Sequence, residues 1–229
     1  MGGYVNTGNG RFLEAIRTDI YVDKTRMISC INSVLGTKQK YVCVSRPRRF
    51  GKTTAADMLC AYYDRTADSC SIFEKCAIAK EEEWDRYLGK FDVVRIMMTD
   101  FVKKGKTVSK MIQILQSRIL EDLNEEYPDV KYDPDDFPYS LGRFSRNAKC
   151  QYIFIIDEWD VVFRERKEDK DGQKEYLDFL RDWLKDQDYV ALAYMTGILP
   201  IKKYGRHSAL NMFDEYSMLA PMQLAEYTG

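Results

Sequence analysis

Apolar runs and helical stripes alternate along the chain. "KYVCVSR" (40–46) reads as a short buried strand. "TTAADMLCAYYD" follows as a helix, with Ala55, Leu59, Tyr62 and Tyr63 on one face. "FDVVRIMMTDF" (91–101) predicts a second strand. From Val108, the residues Met111, Ile112, Leu115 and Ile119 keep helical spacing. "QYIFIIDEWD" (151–160) predicts a third strand with an acidic end. Tyr176, Leu177, Leu180, Trp183 and Leu184 mark another amphipathic helix. "YVALAYMTG" (189–197) predicts a fourth strand, and "FDEYSML" (213–219) a fifth. Upstream, "YVDKTRMISCINSVL" reads as a helix capped by Asp23, with Met27, Ile28, Ile31 and Leu35 facing inward. Two stretches break the pattern. "EEYPDVKYDPDDFPYSLGRF" holds three of the 6 prolines, and "RERKEDKDGQ" is almost all charge. Both are expected to be irregular surface excursions. Strands alternating with helices predict an α/β fold around a mostly parallel sheet.

Composition adds limits to this pattern. A chain of 229 residues with 45% hydrophobic content can bury a sizeable core. Lys plus Arg is 35 against 36 for Asp plus Glu, a net charge of -1. That balance argues against a surface that coats nucleic acid, while leaving room for a local basic patch. The opening residues lack a basic, apolar and small-residue leader pattern, and "YIFII" and "YVALAYM" are too short to span a bilayer. The cysteines at 30, 43, 60, 70, 76 and 150 form no C-x-x-C pair, and there is one histidine. A zinc site is therefore not expected, and the thiols read as reduced groups of a cytoplasmic protein.

Candidate chemistry begins at "SRPRRFGKTT" (45–54), which lies between a predicted strand and a predicted helix. That is the setting of a phosphate-binding loop. Backbone amides at the helix start would face an anion, favoured by the helix dipole. Lys52 would reach the outer phosphates, the Thr53 hydroxyl would meet Mg2+, and Gly51 would let the backbone come close. Arg48 and Arg49 add positive charge beside the anion. Arg46 stands where the usual pattern has its first glycine, and Pro47 biases it to extended backbone. A basic surface turn with a coincidental Gly-Lys-Thr is the competing explanation.

A second motif weighs against coincidence. Asp157 and Glu158 end an apolar strand about a hundred residues downstream. In P-loop NTPases an acid at this place holds Mg2+, and the next acid can take a proton from attacking water. Neighbouring carboxylates repel and need a counter-charge, which a magnesium ion supplies. Strand capping or pairing with arginines is the structural alternative. Thr196 ends the following apolar strand, where it would orient water or sense a γ-phosphate, or simply precede a glycine turn.

With these residues in place, the chain resembles the AAA-ATPase-like family of bacterial and archaeal P-loop proteins. The resemblance rests on "YVDKT" (21–25), "SRPRRFGKTT" (45–54), "IIDEWD" (155–160), "YLDFLRDWL" (176–184) and "TGILPI" (196–201). "DEWD" stands where the family more often has an Asp-Glu-Tyr-Asp, one aromatic for another. The resemblance accounts for Arg46, because the family carries arginine there. It implies a three-layer α/β/α sandwich, with ATP and Mg2+ as cofactors. It further implies phosphate contacts from Gly51, Lys52 and Thr53, and the cofactor-binding stretch is expected to include Arg48, Arg49, Phe50 and Thr54 as well. Thr53 and Asp157 would hold the metal, while Lys52, Glu158 and Thr196 would act in catalysis. Asp23 to Thr25 would lie near the nucleotide base, although a plain helix cap explains them equally well.

The organisation expected is a single ATPase-like domain over 1–229, with a helical lead-in at 1–38. Many family members continue into a helical lid and a nuclease-like domain. This sequence stops at "AEYTG", so nothing of that region carries over. Partners expected are ATP and either another protein or a second copy, with DNA involved only indirectly and no membrane. A cation completing the site could come from Arg48, from Arg206 or from a neighbouring subunit. His207 reads as a surface residue, and Trp84, Trp159 and Trp183 as packing residues. Three functions compete: Mg2+-dependent ATP hydrolysis coupled to conformational change, a nucleotide-loaded switch with little turnover, and a small-molecule kinase. The adjacent acids and the later Thr196 strand speak against the kinase.

Overall fold

A computed structural model of the chain describes residues 3–201 and 209–217, with Leu224 and Tyr227. Among the described residues, five strands form one all-parallel sheet: β1 (Tyr41–Ser45), β2 (Asp92–Met97), β3 (Tyr152–Asp157), β4 (Val190–Gly197) and β5 (Asp214–Ser217). Their spatial order is β2-β3-β4-β1-β5. The helices of the described residues are α1 (Gly10–Ile16), α2 (Met27–Val34), α3 (Lys52–Tyr63), α4 (Cys70–Phe73), α5 (Met98–Lys104), α6 (Val108–Glu126), α7 (Phe137–Ala148), α8 (Val161–Glu165) and α9 (Lys170–Leu184). A 3-10 turn spans Ala77–Lys80.

The strands are apolar on both faces because helices cover both. Successive side chains alternate across a strand. Val42, Val44, Val93, Ile153, Ile155, Leu192 and Tyr194 pack with α1 to α4. Cys43, Val94, Ile96, Phe154, Ile156, Ala193 and Met195 face α5 to α9. The chain is thus an α/β/α sandwich of the P-loop type. The free edge of β2 is covered by the N-terminal segment, where the Asn6 amide donates to Val93 O and the Arg95 amide to Tyr4 O, each at 2.8 Å. Covering the edge removes a template for pairing with another chain.

Four expectations about local structure need correction. The strand expected over 91–101 stops at Met97, and the chain turns at once into α5. Asp100 in its first turn and Lys103 and Lys104 in its last suit the helix dipole, while Met98, Phe101 and Val102 form its buried stripe. The proline-rich stretch is not all irregular: Asp136 caps α7 by accepting from the Tyr139 amide at 3.0 Å, and Pro138 sits in the first turn, where it has no hydrogen bond to lose. The charged stretch likewise contains the end of α8 and the start of α9, which Asp169 caps by accepting from the Gly172 amide at 2.8 Å. Finally, Asp23 does not cap a helix. α2 begins at Met27, and Asp23 accepts instead from the amide and hydroxyl of Thr25 and from the Ala77 amide, at 2.8, 2.6 and 2.7 Å. Trp159 and Trp183 are core residues and Trp84 is half-buried. Lys202, Lys203, Arg206 and His207 lie outside the described residues.

Candidate active site

Parallel strands all end on one side of a sheet, and the candidate residues gather at that end. β4 lies between β1 and β3. The loop after β1, the acids after β3 and Thr196 near the end of β4 are therefore neighbours. The loop begins with Arg46, whose amide donates to Gly197 O at 3.0 Å, so it continues β1 by one residue. Its side chain is buried, with Nη1 donating to the Ser45 and Tyr216 carbonyls, each at 3.2 Å. Burial pulls the Arg46 pKa below its ordinary value. Pro47, Arg48, Arg49 and Phe50 are exposed, and Arg49 has φ +69°. Gly51 has φ +75°, a conformation glycine adopts without strain, and α3 starts directly after it. The first amides of a helix have no partner within it, so this end presents donors and positive potential to an anion.

Lys52 is almost fully buried, and its Nζ donates to Arg46 O at 3.0 Å and Pro47 O at 2.8 Å. The ammonium is thus folded back across its own loop. Burial lowers its pKa, opposed by Glu158, Asp157 and Asp160 and assisted by Arg164. The neighbouring Thr53 hydroxyl donates to Asp157 Oδ2 at 2.8 Å. Thr54 is half-buried and faces a cavity on the outer side of the loop.

Asp157 is fully buried and collects donors on both oxygens. Besides Thr53, Oδ2 receives Nη2 of Arg95 at 3.3 Å. Oδ1 accepts from the Thr196 hydroxyl and from the Glu158 amide, the latter at 3.0 Å. Glu158 has φ +56°, in the left-handed region, and its carboxylate pairs with Arg164. Asp160 holds the strand ends together: its Oδ2 accepts from the Ile198 and Leu199 amides at 3.2 and 3.0 Å and from Arg164 Nε at 3.1 Å.

Two arginines carry no mark in the sequence pattern that led to the other site residues. Arg95 projects from the middle of β2, is 3% exposed, and also pairs with Asp57 at 3.3 Å. A charge inside the apolar run "DVVRIM" was itself the signal, since arginine is rarely buried without a partner. Arg164 sits in a stretch that reads as solvated charge, and nothing in its spacing marks it. Together they supply counter-charge to the adjacent acids from within the protein.

Beside the loop lies a cavity of about 620 Å³, with Phe12, Tyr21, Val22, Phe50, Thr54 and Met58 among its lining residues. Asp23 and Thr25 brace the segment that forms its outer wall through their contacts to Ala77 and Ile78. Among the described residues, no cluster of three or more His, Cys, Asp or Glu is placed to enclose a metal, and no helix is long and apolar enough to cross a membrane.

The fold and this arrangement define a P-loop ATPase-like domain. Residues 9–205 match the family described as "Predicted AAA-ATPase", and the chain belongs to that family. A relative from Azotobacter chroococcum mcd 1, an uncharacterized protein in the vnfD 5' region, is 26% identical over 209 residues. The match covers 86% of this chain but 37% of that relative, so the chain spans little more than a third of its length.

Proposed function

We propose that the chain binds ATP with Mg2+ and hydrolyses it to ADP and phosphate, coupling turnover to a change of conformation. The hydrogen bond between Thr53 and Asp157, 104 positions apart in sequence, carries this reading. It brings a phosphate-type loop and a strand-end carboxylate within the span of one triphosphate. One hydroxyl and one carboxylate form an oxygen donor set that suits Mg2+, which keeps waters and substrate phosphates as its remaining ligands. When bound, the metal would neutralise charge on the outer phosphates.

The chain's own residues do the rest. The α3 amides and Lys52 receive the phosphates, and Lys52 exchanges two loop carbonyls for phosphate oxygens. Arg48, Arg49 and Phe50 flank the loop from the exposed side. Thr196 holds Asp157 in orientation. Glu158 accepts a proton from water as the water oxygen bonds to the γ-phosphorus and the bond to the β,γ-bridging oxygen breaks. The cavity volume falls in the range of small-ligand sites, and its aromatic and aliphatic walls suit a purine base. ATP is the nucleotide favoured by the family. A cytoplasmic setting agrees with described cysteines that are not joined in disulfides.

Phosphate release from wild type and from Glu158→Gln tests the assignment. Loss of two or more orders of magnitude in the variant, with nucleotide still bound, is expected for a general base. Equal rates would remove Glu158 from that role. Calorimetry of ATP binding with and without Mg2+, repeated on Lys52→Ala, tests the site itself. A second reading is a nucleotide-dependent switch that docks a partner and turns over slowly. One observation favours it: the Glu158 carboxylate is engaged by Arg164. Tight binding without phosphate release would select it.

A further inference from the structure

Arg164 is held at two points that differ in kind. Nε is tied to Asp160 Oδ2 at 3.1 Å, and that carboxylate is itself fully buried and fixed by the Ile198 and Leu199 amides. Nη2 is tied to Glu158, whose side chain is 24% exposed, with Arg164 at 18%. One end of the guanidinium is therefore anchored at the strand ends, and the other end meets a partly exposed carboxylate. Thr53, next to Lys52 in the chain, donates to Asp157 at 2.8 Å, and Asp157 also accepts from the Glu158 amide at 3.0 Å, so the Glu158–Arg164 pair stands beside the start of α3. Glu158 and Arg164 bear on the Lys52 ammonium in opposite senses. A terminal phosphate held by Lys52 would approach that pair.

We propose, resting on the nucleotide reading above, that Arg164 is a positioning residue: it holds Glu158 out of use until a triphosphate arrives, then exchanges the carboxylate for γ-phosphate oxygens. A terminal phosphate carries about two negative charges and three acceptor oxygens, against one charge on Glu158, so it is the stronger partner for a guanidinium. The Asp160 contact survives the exchange and serves as the pivot. Glu158, released, becomes available to water only when a γ-phosphate is present. A diphosphate leaves the pair intact. Carboxylate and phosphate thus compete for one cation, and hydrolysis restores the resting pair.

The test measures affinity, not turnover. Dissociation constants for β,γ-imido-ATP and for ADP, each with Mg2+, are determined by calorimetry on wild type, Glu158→Gln, Arg164→Gln and the double variant. Arg164→Gln is expected to reduce the preference for the triphosphate about tenfold and to leave ADP within about twofold, as for loss of one charge-assisted contact. Glu158→Gln, by freeing Arg164, is expected to raise that preference, and the gain is expected to shrink severalfold in the Arg164→Gln background. Arg164→Lys, which keeps the charge and loses the fork, is expected to fall between and serves if the glutamine variant does not fold. Equal weakening of both nucleotides by Arg164→Gln would make the pair purely structural. An undiminished gain from Glu158→Gln in both backgrounds would reduce the effect to simple repulsion. Either outcome overturns the exchange while the nucleotide site stands. If wild type binds neither nucleotide, the proposed ATPase function falls and the exchange falls with it.

Discussion

Replacing Asp157 by Asn tests the architecture of the site without any nucleotide. Thr53, Arg95, Thr196 and the Glu158 amide all donate to this one buried carboxylate. A carboxylate only accepts, whereas a carboxamide of the same shape must turn its NH2 toward one oxygen's donors. Either orientation leaves two of the four donors facing a donor. Each unsatisfied buried donor costs about 1–3 kcal/mol, and hydroxyls recover part of that by rotating. Arg95, at 3% exposure, would keep only Asp57 as counter-charge, and breaking a buried pair outright costs about 3–5 kcal/mol. With one acid partner retained, about 3 kcal/mol overall is reasonable, a Tm lower by roughly 6–12 °C for a chain of this size. Glu158→Gln is the control: its pair with Arg164 is partly exposed, so about 1 kcal/mol or less is at stake. Thermal and urea unfolding of the nucleotide-free proteins read both. If Asp157→Asn proved as stable as wild type or more so, repulsion from Glu158 and Asp160 would outweigh the four donors, and Asp157 could not be the group that holds the strand ends in register with the loop.

Three further substitutions probe separate features. A Cβ on Gly197 would lie 2.6 Å from Trp159 Nε1 and 2.9 Å from Asp160 Oδ1, so Gly197→Ala is expected to cost about 2–3 kcal/mol in urea unfolding. Gly51 has open space around it, so Gly51→Ala is expected to cost only the left-handed backbone strain, about 1–2 kcal/mol, while ATP binding measured by calorimetry falls far more. The exposed Cys70 thiol donates to Glu74 at 3.2 Å, and that contact to a carboxylate raises its pKa. Less thiolate forms at neutral pH, so Glu74→Gln is expected to speed alkylation of Cys70 at about pH 7.5, followed by mass spectrometry. An unchanged alkylation rate would mean that the Cys70–Glu74 contact does not govern the thiol.

Much of the sheet was legible because every internal strand is buried on both faces and so reads as an unbroken apolar run. Loops of polar residues frame those runs, and the helices on either side show their inward stripes. Legibility failed where one local pattern served another purpose. Pro128, Pro134 and Pro138 look alike in sequence, yet Pro138 sits inside the first turn of α7. The run from Arg164 to Gln173 is polar because α9 begins exposed, not because helix is missing. Asp23 has the residue type of a cap, but the nearest unpaired amides belong to Thr25 and Ala77, and it serves those. "FDVVRIMMTDF" keeps apolar character across the junction of β2 and α5, so composition alone shows no boundary there.

The gathering of the candidate site residues was legible for a related reason. Lys52, Thr53, Asp157 and Thr196 stand at strand ends or at a helix start, places that the apolar pattern itself marks, and the parallel sheet then brings all such ends to one side. Arg95 and Arg164 are not marked by any end. Arg95 lies mid-strand, and Arg164 within a short helix. Their position matters only because of which acids they meet, and those meetings depend on β3 lying beside β2 and on the turn after Asp157. Adjacent carboxylates in a buried place cannot stand without counter-charge. In the sequence two candidates for that charge are visible, a bound metal and pairing with arginines, and the spacing does not say which arginines. In the folded chain two guanidinium groups supply it: Arg95 pairs with Asp157 and Asp57, and Arg164 with Glu158 and Asp160, so on the proposed function a metal and phosphate would enter a site whose acids already have partners. On the proposed function, loading the site would be an exchange of partners rather than the filling of an electrostatic hole, and Lys52, which donates to two loop carbonyls, would follow the same rule.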